Sequence, residues 1–395
     1  MWQIKRLVGS LVYRATSVPA ARSLTDTATG RPTVVGFFRS PSGIGQSARL
    51  CYAALQRLGL RPQYVDLSPR FQPAGMLEPF LQDAPSSSGR GPIIIHANPP
   101  ELPAVTSYLG RRVLAGRMVV GFWAWELAEM PHRWRDGFRY VHEVWAPSTF
   151  CAELFRRHTL KPVRVVFNAT LPIDERADRA SFGIPADAVA FFSACDLRSS
   201  IARKNPLGAI RAFKAAFGTS RKRFLFLKIT GAAGCPHLLD VLRREVGESP
   251  NIALWTAPMS PRAMRALYPS VDCILSLHRA EGCGMIMVEG MLAGRCVIGT
   301  DWPGCSDFLT GETALPVSGR LVAIEDPQGI YGGNQQWIEP DMEVAVRILQ
   351  QAAADEHLRR RLGDTARRHT IDVFGDARYR SSLGSTFHAR TRLSR

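Results

Sequence analysis

Apolar runs of strand length recur along the chain, separated by polar stretches marked with glycine and proline. Residues 33–38 (TVVGFF), 92–96 (PIIIH), 118–122 (MVVGF), 143–146 (EVWA) and 163–167 (VRVVF) form a first set of predicted strands. A second set starts at 189 with VAFFSACD and continues through 224–229 (FLFLKI), 252–255, 271–277 (VDCILSL) and 297–300. Between them, 46–58, 206–217 and 285–293 carry helix formers, and the tail 341–395 reads as helical. Strands alternating with helical segments predict parallel α/β sheets, one in each half. The charged connection 171–180 (LPIDERADRA) reads as a linker between the halves. The predicted division is a basic amphipathic extension (1–27), a first Rossmann-like domain (28–170), a linker (171–185), a second Rossmann-like domain (186–365) and a helical tail (366–395).

Length agrees with two domains, since 395 residues exceed what a single core usually organises. Lys and Arg outnumber Asp and Glu by 50 to 34, a net charge of +16 that favours anionic partners. No basic run interleaves with aromatics, so nucleic acid is not an expected partner. The eight cysteines include no C-x-x-C pair, which favours buried thiols in a reducing compartment, hence a cytoplasmic protein. No apolar stretch reaches 18 residues, so no transmembrane helix is expected. Near the N-terminus Ile4, Leu7, Val8, Leu11 and Val12 recur at helical spacing, with Trp2 nearby and Lys5, Arg6 and Arg14 off the stripe. Three readings stand: a helix on an anionic membrane surface at the inner face, a helix packed on the protein body, or a frayed extension.

The densest chemistry lies in 275–300, LSLHRAEGCGMIMVEGMLAGRCVIGT. A strand, a glycine turn and a helix are predicted there. Glu281 falls in the turn, and Glu289 about one and a half turns into the helix. A carboxylate in the turn suits sugar hydroxyls, and one on the helix suits a ribose diol. Gly282 and Gly284 let the backbone approach a ligand, and the free N–H groups from Gly284 and Met285 onward suit a phosphate. A second feature is the adjacent pair Arg203 and Lys204, just before a helix opened by Pro206. Cations beside helix N–H groups make a diphosphate site, and a solvated pair is the plain alternative.

This stretch resembles the signature of the retaining nucleotide-sugar glycosyltransferases of family 4, written roughly EGFGLxxxEAMAxGxPVIAT. Here Cys283 replaces the usual Phe, and Arg295-Cys296 the usual pair before VI. The turn at 301–309 (DWPGCSDFL) is similar to a family turn in which Asn stands at the place of Cys305 and Ser at that of Pro303. The resemblance covers most of 33–350. It implies the GT-B fold, α/β with two Rossmann-like domains whose parallel sheets face across a cleft. It also implies a donor diphosphate gripped by Arg203 and Lys204, a ribose on Glu289 and a donor sugar on Glu281. Gly43 and Gly45 of the loop 39–45 (RSPSGIG) would lie on the donor side, or simply form a tight turn. The stretch WAWELAEMPHRW is similar to a block in a bacterial subgroup, which makes Trp125 and Glu126, with His96 at a strand end, acceptor-side candidates. The competing reading is that these tryptophans cap a core.

The expected activity is retaining transfer of a sugar from a nucleotide diphosphate sugar to an acceptor hydroxyl. The acceptor would be a glycan or a lipid-linked saccharide of bacterial polysaccharide or glycolipid synthesis. No cofactor and no metal are expected, the basic pair taking a metal's place. The alternative from another class is a noncatalytic nucleotide-sugar or glycan-binding module on the same fold. A nicotinamide enzyme is disfavoured, because no G-x-G-x-x-G follows a strand and only Asp66 stands near the place of its acidic partner.

Overall fold

The computed structural model describes residues 13, 15–21, 24, 30–72, 80 and 90–384. The N-terminal stripe of Ile4, Leu7, Val8, Leu11 and Val12, with Trp2, Lys5, Arg6 and Arg14, lies outside the described residues, as does the end of the tail from 385. The chain forms two compact units. One comprises Met1–Trp125, Glu129–Thr170 and Phe374–Arg395; the other comprises Glu126–Ala128 and Leu171–Val373. Among the described residues no helix is long and apolar enough to cross a membrane.

The first unit is built on strands β1 (Thr33–Gly36), β2 (Gln63–Asp66), β3 (Ile93–His96), β4 (Val119–Phe122), β5 (Glu143–Ala146) and β6 (Val163–Val165). They pair in the order β2-β1-β3-β4-β5-β6, all parallel. The strands β1, β3, β4 and β5 are buried at every position, as unbroken apolar runs require when helices cover both faces. Their core gathers Val34, Phe38, Leu55, Ile94, Val120 and Trp145, together with Tyr379 and Leu383 from the end of the chain. Arg57 grips Asp376 through two nitrogens (2.7 and 2.8 Å), which fastens that terminal helix to the helix Gly43–Arg57.

The sequence reading missed β2. Its four residues QYVD pair on one side only, and half of them are polar, so no apolar run marks them. Asp66 at its end is structural. Its carboxylate accepts the amides of Phe38 (3.1 Å) and Ser68 (2.9 Å) and fixes the turn after β1. Gly43 and Gly45, expected in a loop, lie instead in the first turn of the helix, which Ser42 caps through the Gly45 amide (3.3 Å). Gly45 is needed for close packing, since a Cβ there would stand 2.6 Å from the carbonyls of Phe37 and Ser40. A Cβ at Gly43 would meet nothing.

The second unit contains β7 (Val189–Asp196), β8 (Arg223–Thr230), β9 (Ile252–Trp255), β10 (Cys273–Ser276), β11 (Cys296–Thr300) and β12 (Leu315–Val317). Their order is β12-β11-β10-β7-β8-β9, again all parallel. The order reverses between β7 and β10, and ligands of open α/β sheets bind beyond the carboxyl ends of the strands at such a point. A separate antiparallel hairpin, β13 (Gly319–Ala323) with β14 (Gln336–Pro340), was not foreseen. Its first strand is mostly exposed and its connection is glycine-rich, so it carries neither an apolar run nor a period. Phe191, Leu225 and Leu227 of the sheet pack with Ile210, Phe213 and Leu349 of the covering helices. All eight cysteines are free thiols, seven of them buried.

Asn205 is one of the residues that tie the loop after β7 to the loop after β10. It ends the one-turn helix Ile201–Lys204 in the left-handed conformation (φ 50°, ψ 46°) and caps the helix Pro206–Phe217. Its Oδ1 accepts the Gly208 amide (3.0 Å), and its Nδ2 donates to the Leu277 carbonyl just past β10 (2.9 Å). Asn205→Ala removes the cap, strains the backbone and orphans that carbonyl. The expected cost is about 2–4 kcal/mol in urea denaturation. Asn205→Gly should recover the backbone share, and equal losses in the two variants would contradict this account.

Candidate active site

The loop after β7 and the loop after β10 are held edge to edge. The Arg203 carbonyl accepts the Arg279 amide (2.7 Å), and the Arg203 guanidinium donates through Nη1 to the Ala280 carbonyl (2.9 Å). Arg279 reaches back to the Ala202 carbonyl (2.5 Å) and is itself held by both oxygens of Glu339 (2.5 and 2.9 Å). Ser200 starts the helix Ile201–Lys204 by accepting the Arg203 amide (3.0 Å). Arg203 and Lys204, expected in a plain loop, therefore ride on a helical turn with defined directions.

Both cations converge on Glu281, which is only 6% exposed. Its Oε1 receives a short hydrogen bond from the Lys204 ammonium and has Arg203 Nη1 at 3.3 Å. Burial alone would raise this carboxyl, but the charges of Lys204 and Arg203 outweigh it and bring it down to about 2. The two cations differ in exposure: 4% of the Arg203 side chain is accessible against 23% of Lys204. Burial also works against the charge on Arg203, and Tyr331, Glu126 and Glu281 more than offset it. His278, fully buried nearby, contacts the Ser276 hydroxyl (3.0 Å) and the Cys305 sulfur (3.7 Å). Burial lowers it to about 4, so it is neutral at pH 7.

Glycines make this packing feasible. Gly284 stands ahead of the helix Met285–Leu292 with φ +72°, and a Cβ there would be 2.4 Å from the Met287 methyl. Gly304, in the turn after β11, lies so close that a Cβ would fall 1.7 Å from the Glu281 carbonyl oxygen. The first amides of the helix, at Met285 and Ile286, have no carbonyl partner within it. Glu289, farther along, accepts the buried Tyr268 hydroxyl at Oε2 (2.5 Å), which fixes its rotamer. Gly282 is buried in the turn beside Glu281.

The structure thus gathers Glu281, Arg203 and Lys204 and sets Glu289, Gly282, Gly284 and Met285 on the same turn and helix. It also adds Glu126 to the cluster, with its Oε1 3.7 Å from Arg203 Nη2 and its Oε2 accepting the Tyr331 hydroxyl (2.9 Å). The remaining candidates, Gly43, Gly45, His96 and Trp125, belong to the first unit. Trp125 is buried edge-on against Trp134 (4.7 Å) and donates to the Glu129 carbonyl (2.8 Å). Trp123 and Trp134 are buried as well, so these indoles pack a core and offer no open ring face. His96 stacks on Phe122 (4.6 Å), contacts the Ser47 hydroxyl through Nδ1 (2.9 Å) and is pushed by burial down to about 3. Sequence reasoning passed over Tyr331, Tyr268 and His278. Tyr331 stands in a glycine-rich connection with no periodic signal, and the other two sit on stretches that read simply as secondary structure. Among the described residues no group of three or more His, Cys, Asp or Glu converges to hold a metal ion.

Residues 200–338 match the family model described as "Glycosyl transferases group 1". No curated protein sequence matches the chain. Several solved structures are similar. HepE from Anabaena, in complex with UDP and glucose, is 12% identical over 91% of this chain and 99% of that one, with a TM-score of 0.64. A glycosyltransferase from Rickettsia africae is 13% identical over 92% of this chain and 97% of that one, with a TM-score of 0.60. WaaG, described as a glycosyltransferase involved in lipopolysaccharide biosynthesis, is 14% identical over 89% and 100%, with a TM-score of 0.59. The fold is the two-domain α/β fold of these GT-B glycosyltransferases, as the sequence motif implied.

The depressed Glu281 carboxyl gives stability a defined pH dependence. A group whose folded pKa lies below its ordinary value of 4.5 stabilises the protein above that value and stops doing so as pH falls towards about 2. The contribution is on the order of 3 kcal/mol at neutral pH. Glu281→Gln should therefore be clearly less stable than the unmodified protein at pH 6, with the gap narrowing at pH 3. A gap independent of pH would mean that the carboxyl is not held ionised by its neighbours.

Proposed function

We propose that the protein is a retaining glycosyltransferase that moves a sugar from a nucleotide diphosphate sugar to an acceptor hydroxyl without a metal ion. The observation that carries this reading is the ionised, buried Glu281 set beside Lys204 at the switch point of the second sheet. A carboxylate there accepts hydrogen bonds from sugar hydroxyls, and a partly exposed ammonium beside it meets the diphosphate. Glu289, with its rotamer fixed by Tyr268, receives the ribose diol. The amides at the start of the helix Met285–Leu292 face the phosphates.

In the transfer, the bond between the sugar's anomeric carbon and the diphosphate oxygen breaks while the acceptor oxygen bonds to the same carbon from the same face. The departing phosphate takes the acceptor's proton. Negative charge grows on the leaving diphosphate, and Lys204 with the helix amides stabilises it where it develops, which is the main catalytic lever for such a step. UDP in the HepE complex is consistent with a nucleotide diphosphate donor. Polysaccharide or glycolipid synthesis at the cytoplasmic face of a membrane is the context we favour, with a glycan or lipid-linked acceptor.

A thermal-shift screen against UDP-, GDP-, ADP- and dTDP-sugars, followed by transfer or hydrolysis assays, tests the reading. A ligand at a hundred times its dissociation constant should add about 2.7 kcal/mol of stability. Glu281→Gln should lower turnover severely and leave affinity for the free nucleotide diphosphate nearly unchanged. Lys204→Ala should weaken that affinity about tenfold or more, since a charge-assisted contact is worth roughly 1.5–3 kcal/mol. Binding without any turnover would favour the noncatalytic module. Activity abolished by a chelator and restored by magnesium would overturn the metal-free chemistry.

A further inference from the structure

Glu126 belongs by its contacts to the second unit, and it is gripped there by three elements. Trp302, in the turn after β11, donates its indole N–H to the Glu126 carbonyl (3.1 Å). Tyr331, in the connection of the β13–β14 hairpin, donates its hydroxyl to Oε2 (2.9 Å). Arg203 brings Nη2 to 3.7 Å from Oε1. The hairpin connection is itself anchored on the loop after β7. Asp326 accepts the Ser200 hydroxyl at Oδ1 (2.9 Å) and the amides of Ile330 (2.9 Å) and Tyr331 (3.0 Å) at Oδ2. Gln328 accepts the Ile201 amide (2.6 Å) and donates to the Leu197 carbonyl (2.9 Å).

The result is a guanidinium with protein partners on its edge and on its face. Carboxylates stand at two corners, the Ala280 carbonyl lies at a third contact, and the Tyr331 ring is 5.6 Å from its central carbon. Both oxygens of Glu126 are engaged by protein groups, which does not suit a carboxylate meant to bind an acceptor. With Arg203, Lys204 and Glu281 it makes a charge-balanced set of two cations and two anions. Without Glu126, Arg203 would be drawn wholly towards Glu281 and would no longer hold that carboxylate in one orientation.

We propose that Glu126 is a positioning residue: with Tyr331 it fixes the guanidinium of Arg203, which in turn orients the Glu281 carboxylate towards the sugar. The kinetic consequence rests on the glycosyltransferase reading. The structural consequence does not.

Glu126→Gln keeps the side chain's size and removes its charge. In the full-length protein it should lower kcat at least about tenfold, while the Kd for free nucleotide diphosphate stays within about threefold or tightens, the signature of a lost transition-state interaction. Tyr331→Phe should move kcat in the same direction by less, and the double variant should lose little more than Glu126→Gln alone, because the two act through one guanidinium. A second readout is the Nε–H resonance of Arg203, assigned with Arg203→Lys, which should shift in Glu126→Gln. If kcat stays within about twofold of the unmodified protein, or falls in step with nucleotide affinity, the positioning role is wrong. If no nucleotide sugar is turned over by the unmodified protein, the glycosyltransferase reading fails. The Arg203 resonance then decides the proposal alone, and an unmoved signal overturns it.

Discussion

The second unit is organised around one electrostatic constraint, an ionised carboxylate kept out of water. Withdrawing the Glu281 charge from solvent costs several kcal/mol unless opposite charge and hydrogen bonds surround it. Lys204 and Arg203 supply that charge, and both come from the loop after a different strand. The loops after β7 and β10 must therefore meet, and they do so through the Arg279 amide on the Arg203 carbonyl and the Arg203 guanidinium on the Ala280 carbonyl. The same constraint explains two glycines. The turn after β11 can close over Glu281 only if residue 304 has no Cβ, and the chain can turn into the next helix at once only with a left-handed residue at 284. An unpaired charge at this place would break the arrangement far more severely than a lost surface ion pair, because screening by solvent is weak there.

Most strands and the glycine turn that carries Glu281 were legible from the chain, for a physical reason, whereas the pairing of Glu281 with Lys204 and Arg203 was not. Strands buried on both faces have to be continuous apolar runs, so VAFFSACD and the runs at 93–96 and 119–122 announce themselves. The observed strands differ from those runs mainly by a residue or two at their ends. The glutamate turn was legible because close packing demands glycine and charge demands partners, which leaves a pattern that composition alone would not produce. What escaped notice lacks both signals. β2 and β12 are short strands at opposite edges of their sheets, and the β13–β14 hairpin is largely exposed. Tyr331 escaped as well, and Glu126 was noticed only as an acceptor-side candidate, because the contact between them spans 205 positions of sequence and no local period records it. The aromatic stretch showed the opposite failure: its tryptophans were visible, yet whether they face a core or a ligand depends on tertiary packing. Packing places them inside.

Arg203 and Lys204 show how one helical turn separates two environments. Successive residues of a helix point about 100° apart, so adjacent cations on the helix Ile201–Lys204 leave in different directions. The inward direction goes to arginine, whose planar fork can meet a carbonyl and two carboxylates while its face rests on an aromatic ring. The outward direction goes to lysine, a compact charge on a flexible stem that stays on Glu281 while part of it remains exposed. The order of the two residues therefore matters as much as their charge. A guanidinium at 204 would have no fork of partners to occupy. An ammonium at 203 is a single point charge, which could not span partners spread around a planar fork and would have no planar face to set against Tyr331.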